Sequence, residues 1–257
     1  MSEQEKRNKI KKYFNKTPKW ATNTIIAGVV IFFIGLLGLE IAILIGLILI
    51  AIGGTGIWMA IGGRPSDSEN DKYIEEDLSK AKKISLDKSM IDESELVGET
   101  VVVTGPRFWN TGGSKILYRK GKDETLRYSP INISVLNMTE NYLISYQASL
   151  DLTTGNFLNE STDEYFYNDI VSVSTKTESK SIDIEGSFFS SHKNQTVQLN
   201  AAETFILTTS GGTSIETILR DPKLIEMMGG GNIPTTQAER AIQVVRKMLR
   251  EKKLSSN

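Results

Sequence analysis

Few residues in this chain carry the side chains that demanding chemistry needs. His192 is the sole histidine and cysteine is absent. Disulfides, thiol nucleophiles, cysteine-held metal centres and multi-histidine metal sites are therefore excluded. A nucleophilic triad would have to use His192, and its setting, Ser190-Ser191-His192-Lys193-Asn194, reads as a solvated polar loop. The carboxylates Glu160, Asp163, Glu164 and Asp169 cluster in sequence, but strand alternation should send them to opposite faces. Gly211-Gly212 and Gly229-Gly230-Gly231 lack the lysine and hydroxyl that a nucleotide-binding loop requires. No enzyme activity, cofactor or metal is expected.

Two features fit binding instead. Lys115, Arg119, Lys120, Lys122 and Arg127 form a basic patch between early strands, suited to anionic lipid headgroups, with a solvated charged hairpin as the plainer reading. Phe188 and Phe189 stand side by side among polar neighbours, a pair that could dip into a bilayer or meet a partner, unless one of them packs in the core.

The elements that must position these residues begin with an apolar segment. From Ile25 to Ile61 only Glu40 and Thr55 interrupt the hydrophobic run. As one helix it would extend about 55 Å, against a hydrocarbon core of about 30 Å. Dividing it at Gly38-Leu39-Glu40 gives two spans, residues 22–38 and 41–61, and hence a transmembrane helical hairpin over 22–62. Gly38 suits the turn, and Glu40 stays hydrated there rather than at the bilayer centre. Trp20 and Trp58 then fall near one interface. Gly28 and Gly35 in the first span, and Gly46, Gly53 and Ala60 in the second, recur at one interval and form small-residue stripes that allow close packing.

Residues 1–21 are a basic tail, with Lys6, Arg7, Lys9, Lys11, Lys12, Lys16 and Lys19 against Glu3 and Glu5. Such a tail favours anionic headgroups. The remainder shows no basic bias and the formal net charge is -1, so no nucleic-acid partner is expected. The length of the apolar region argues against a cleaved signal peptide. Lys and Arg on both flanks place the N-terminus and the following domain inside, which makes the expected location the cell inner membrane, multi-pass, with both ends cytoplasmic.

Residues 63–96 read as a polar linker carrying a short amphipathic helix over about 71–83. Beyond it, β-rich runs at 100–104, 114–118, 131–138, 142–152, 164–174, 196–199 and 204–208 are separated by turns. Gly211-Gly212 predicts a hairpin turn. Asp221-Pro222 opens a short helix to Met228. Thr236 and Glu239 predict a capping box for a last helix whose Ala241, Ile242, Val245, Met248 and Leu249 share a face.

The stretch Asn137-Met138-Thr139-Glu140-Asn141-Tyr142-Leu143-Ile144-Ser145-Tyr146, followed by Glu164-Tyr165-Phe166-Tyr167-Asn168-Asp169-Ile170-Val171-Ser172-Val173-Ser174, resembles the strand motifs of bacterial PH-like (pleckstrin-homology and GRAM-like) domains. The resemblance covers about residues 98–253. It implies an α+β chain in which residues 97–257 form a PH-like antiparallel β-barrel or sandwich with a C-terminal capping helix. Residues 175–195 depart from it as a long insert, and a second short helix stands before the last one. The expected role is a membrane-anchored, non-enzymatic adaptor or sensor whose partners are the lipid bilayer and a protein. The alternative is an effector whose hairpins form homo-oligomers and assemble in or permeabilise the bilayer.

Overall fold

The computed structural model describes residues 1–184, 195–232 and 238–255. It is an α+β protein with an N-terminal helical region and open antiparallel sheets, divided into compact units Met1–Asn70 and Asp71–Asn257.

In the first unit the basic segment is not a tail. Residues Glu3–Phe14 form helix α1, started by a capping box in which Ser2 Oγ accepts from the Glu5 amide and the Glu5 carboxylate accepts from the Ser2 amide. Ile10, Tyr13 and Phe14 are buried on one side of it, so the helix combines its charges with an apolar stripe.

Helix α2 (Lys19–Gly35) begins after Pro18, and helix α3 (Glu40–Ile61) follows a turn at residues 36–39. Proline cannot continue the amide ladder, and α1 and α2 are bent by 57° across this break. The turn leaves Gly38 at φ +114°, a conformation that favours glycine. Glu40 lies one step beyond the position expected of it, in the first turn of α3, where a carboxylate suits the helix dipole. Among the described residues helix α3 alone is long and apolar enough to cross a membrane by itself, and only 11% of its most apolar stretch is buried. The 17 residues of α2 extend about 26 Å, at the short end of the spanning range.

The glycine stripes of α2 and α3 face each other. A Cβ on Gly28 would lie 2.8 Å from the Gly46 carbonyl oxygen, and one on Gly46 would lie 2.7 Å from that of Gly28. Gly35 approaches Ile43, and Gly53 approaches Ala21 and Ile25, so the pair runs antiparallel. Trp20 packs on Gly56.

Among its described residues the second unit contains nine strands where the sequence suggested about seven. Strands β1 (Val101–Pro106), β4 (Ile131–Met138), β5 (Tyr142–Asp151) and β6 (Asn156–Phe166) form one sheet in that order. Strands β2 (Leu117–Lys120) and β3 (Leu126–Ser129) form a separate hairpin, and β7 (Ile170–Ile184), β8 (Gln195–Thr209) and β9 (Ser214–Arg220) form a three-stranded sheet.

Three expected runs are redrawn. The run 164–174 is broken by a 3₁₀ turn at Tyr167–Asp169, which ends β6 and starts β7. Tyr167 is buried there and donates its hydroxyl to the Thr139 carbonyl at 2.7 Å. The separate runs 196–199 and 204–208 are one strand, because β7 pairs with β8 along its length and absorbs the irregularity in a bulge between Glu178 and Lys180. Residues read as an insert thus extend two strands as far as Ile184 and from Gln195.

The amphipathic helix expected over 71–83 is longer. Helix α4 runs Asp67–Ser89, capped by Ser66, whose Oγ accepts from the Glu69 amide while the Glu69 carboxylate accepts from Ser66. From Asp71 onward it belongs to the second unit and covers one face of the β1-β4-β5-β6 sheet. Asn137 donates to Ser85 Oγ at 2.8 Å and accepts from Thr100 at 2.8 Å.

The opposite face carries the main core. Val101, Val103, Leu136, Met138 and Leu143 meet Phe205, Leu207, Ile215 and Leu219 from the second sheet, with Ile242, Val245 and Met248 from helix α6 (Ala238–Ser255). Strands β4 and β5 are therefore buried on both faces almost throughout. Helix α5 (Pro222–Met227) begins as expected, with Asp221 accepting from the Lys223 and Leu224 amides. Where β9 crosses β1, a Cβ on Gly105 would collide with the Ile218 carbonyl oxygen, so only glycine permits that approach.

Candidate functional site

The five cations of the basic patch sit on or beside β2 and β3, and the fold uses them unequally. Arg119 and Arg127 are directly opposed across the hairpin, an arrangement that needs neighbouring carboxylates. Arg127 has them. Its side chain is only 4% exposed, and it donates Nε and Nη2 to the Asp71 carboxylate of α4, both at 2.6 Å, and Nη1 and Nη2 to Asp123, at 2.9 and 2.8 Å. The hydrogen bonds from Arg127 hold the Asp123 carboxyl well below the usual range.

Arg127 is therefore a brace between α4 and the β2–β3 turn, with its donors directed at protein carboxylates. Lys120 forms an ion pair with Glu124 at 2.8 Å. Lys115 and Lys122 are exposed and Arg119 is half-buried. The hairpin is also tied to the strand of chain before α6, since the Leu126 amide donates to the Asn232 carbonyl at 2.6 Å and the Asn232 amide to the Glu124 carbonyl at 2.8 Å. Phe188, Phe189, His192 and Thr236 lie outside the described residues.

The carboxylates expected to scatter do so only in part. Glu160 is engaged with Lys88 of α4 at 2.7 Å and accepts from the buried Tyr146 hydroxyl at 2.6 Å. Desolvation raises the Glu160 carboxyl, but hydrogen bonds from Lys88 and Tyr146 and the Lys88 charge outweigh it and leave it lowered. Burial first, and then the bond to Glu160, push the Tyr146 phenol far up.

Asp163, Glu164 and Asp169 instead border one cleft of about 420 Å³ with Tyr165, Thr209, Ser210 and Thr213. The 3₁₀ turn brings Asp169 back beside the end of β6. Among the described residues no group of three or more acidic or histidine side chains could hold a metal ion. A larger cleft of about 1030 Å³ lies between the second half of α4, the segment 91–100 and the start of α6. Lys82, Lys83 and Arg240 line it together with Asp87, Asp92, Glu93 and Glu99, and Arg240 already bonds to Glu99 at 2.6 Å. In the smaller cleft the Ser210 hydroxyl donates to the Asp169 carboxylate at 3.4 Å.

A third constellation, in the first unit, was not read from the sequence. The ends of α1 and α3 are stitched together at the break before α2. Lys12 donates to the Gly62 carbonyl at 3.0 Å, Asn15 to the Ala60 carbonyl at 3.2 Å, and Arg64 to the Lys12 carbonyl at 3.2 Å and to the Asn15 carbonyl. Tyr13 donates to Asp67 at 2.7 Å. These bonds satisfy carbonyls that a helix C-terminus leaves without intrahelical partners, and they place cations at the negative end of two helix dipoles. Asn15 and Pro18 were the available signal, since a polar residue followed by proline marks a helix stop.

No protein-family model, curated protein or solved structure matches this chain.

Proposed function

We propose that the chain is a membrane-anchored, non-enzymatic adaptor or sensor. Helices α2 and α3 form a transmembrane hairpin, the N-terminus and the second unit lie on the cytoplasmic side of the inner membrane, and the second unit offers its surface to a protein partner. The observation that carries this reading is the inverted surface of the α2–α3 pair. Gly28, Gly35, Gly46 and Gly53 are turned inward, and the large apolar side chains are turned outward, with Phe33 61% and Leu37 87% exposed. Full burial of one such side chain is worth ~1.5–3 kcal/mol, so roughly ten of them half exposed cost on the order of 10 kcal/mol in water. A bilayer removes that cost.

The second unit is read as a PH-like domain. Support comes from the succession of a four-stranded sheet, a three-stranded sheet and a C-terminal helix whose Ile242, Val245 and Met248 enter the core between them. The β2–β3 hairpin and the covering helix α4 are additions to that plan. Glycines that face each other within one chain are not presented to a second copy, so the assembling or permeabilising alternative loses the feature that suggested it.

Protease protection tests the arrangement, with epitope tags at Met1 and Asn257 in right-side-out and inverted vesicles. Both tags should be cut only from the cytoplasmic face. Tags on opposite faces would mean an odd number of crossings and would overturn the adaptor reading.

A further inference from the structure

The outer strand of a sheet presents a row of N–H and C=O groups that folded proteins cover or blunt. Most edges of the second unit are covered. Strands β1 and β9 meet where Gly105 abuts the Ile218 carbonyl. Strand β7 takes α6, whose Arg246 Nε donates to the Val173 carbonyl at 2.9 Å. Strand β3 is tied to Asn232 through the Leu126 amide, and β2 is only four residues long.

Strand β6 is covered over only part of its length. Near its start Leu158 stands beside Gly112, and Asn159 Nδ2 donates to the Asn110 carbonyl at 3.1 Å. From Ser161 to Phe166 the strand pairs with β5 on one side, and among the described residues its outward main-chain groups meet no partner. This stretch extends about 20 Å and carries neither lysine nor proline, the residues that most often blunt an edge. Phe166, packed edge-to-face on Tyr142, is 57% exposed at its end, and Val171, beyond the 3₁₀ turn, is 64% exposed.

The charge of the edge selects an occupant. Asp163 and Glu164 are exposed and form no ion pair among the described residues. The lysines nearby are committed, Lys88 to Glu160 and Lys252 to Glu140. A second copy paired edge to edge would bring like charges together, which disfavours it. Asp163 and Glu164 are consecutive and project to opposite faces of the strand. A strand laid along β6 would place a residue opposite each, so complementarity requires two consecutive cations. The residue two positions further on falls opposite Phe166 and should be apolar. The cleft of about 420 Å³ bounded by Asp163, Glu164, Asp169 and Ser210 opens beside this edge and can receive a long cationic side chain.

We propose that the open edge of β6, residues 161–166, is the docking surface of the second unit, and that it takes an extended segment of a partner protein with two consecutive lysine or arginine residues as an added strand. Main-chain hydrogen bonds supply the attachment, and Asp163, Glu164 and Phe166 select the sequence. The proposal rests on the adaptor reading for the side of the membrane on which the partner is met.

The test titrates the full chain, in uncharged dodecyl maltoside micelles, into a fluorescein-tagged peptide Thr-Val-Thr-Lys-Lys-Thr-Val-Thr, whose palindromic order serves either strand direction. Anisotropy should show saturable binding, and a peptide with Glu-Glu at its centre should show none. Asp163→Asn with Glu164→Gln should weaken binding roughly ten-fold, and Asp163→Lys with Glu164→Lys should transfer the preference to the Glu-Glu peptide. Alternate amides of an added strand face its neighbour, so methylating the amide nitrogens of both lysines removes a ladder bond while keeping the charge. Binding should then fall about ten-fold or more. No saturable binding by the native chain, or an affinity indifferent to the neutral variant or to N-methylation, would overturn the proposal. So would a dimer of the native chain that Thr162→Pro disperses, which would put a second copy on the edge. Protease protection of the terminal tags separates the two failures. Binding with the tags on opposite faces keeps the edge and loses the cytoplasmic adaptor, whereas no binding with both tags cytoplasmic loses the edge alone.

Discussion

The two units solve the same packing problem with opposite surfaces. In the first, glycine lines the contact and isoleucine, leucine and phenylalanine face outward. In the second, Val103, Leu136, Phe205 and Val245 meet inside, while the outer edge strand β6 is mostly exposed and carries Glu160, Ser161, Asp163 and Glu164. The difference teaches that burial is relative to solvent. Water drives apolar groups inward in the second unit. In the proposed membrane setting that drive has no counterpart between α2 and α3, and close backbone approach takes its place.

Substitutions at one close-packed glycine in each unit give the sharpest way to break this contrast. Gly105→Val should have the largest effect, because its Cβ would collide with the Ile218 carbonyl oxygen. We expect a loss of ~3 kcal/mol or more, seen as early thermal loss of β-sheet signal by circular dichroism. Gly46→Leu should wedge α2 from α3, at a cost of ~2–3 kcal/mol. It should lower the midpoint of the tryptophan-emission transition in micelles, since Trp20 packs on this helix pair, while the β-sheet signal of the second unit is unchanged.

Arg127→Ala should rank next. It leaves Asp71 and Asp123 facing each other, and because both are about half exposed the expected loss is ~1–3 kcal/mol by urea unfolding. Arg127→Lys should recover little, since an ammonium cannot serve two carboxylates in the planar manner of guanidinium.

How much of this was legible follows the same division. The α2–α3 pair was readable because its interruptions, Gly38 and Glu40, stand out in an apolar run and its glycines recur at one spacing. Helix α1 was hidden by its charge, although Ser2 and Glu5 are a capping box that composition does not register. Strand β6 was hidden by polarity, because an exposed edge has little apolar alternation to detect. The basic patch was visible as a run of cations, but its partner Asp71 is distant in sequence, and only the fold could reveal that Arg127 is consumed.

Two smaller effects sharpen the account of the second unit and of its entry helix. Burial pushes the Tyr167 phenol up from 10.0 to about 12, with Tyr146 raised further by burial and Glu160. The unfolded chain ionises these phenols first, so their contribution is complete below pH 10 and declines as pH rises toward 12 and beyond. Urea midpoints should therefore fall over that range, and Tyr167→Phe should reduce the slope. Ser66→Ala removes the cap of α4 and should cost ~1 kcal/mol in thermal unfolding.

The central claim is that two comparably exposed apolar surfaces face different solvents. Phe33 and Phe166 are 61% and 57% exposed, and the absence of native cysteine allows a single bimane label through Phe33→Cys or Phe166→Cys in the full chain. Quenching by deep spin-labelled lipid and by aqueous iodide is then compared in reconstituted vesicles. The account predicts that the label at position 33 is quenched by lipid and shielded from iodide, and that the label at 166 behaves in the opposite way. Quenching of both labels by iodide, with neither affected by lipid, would contradict it.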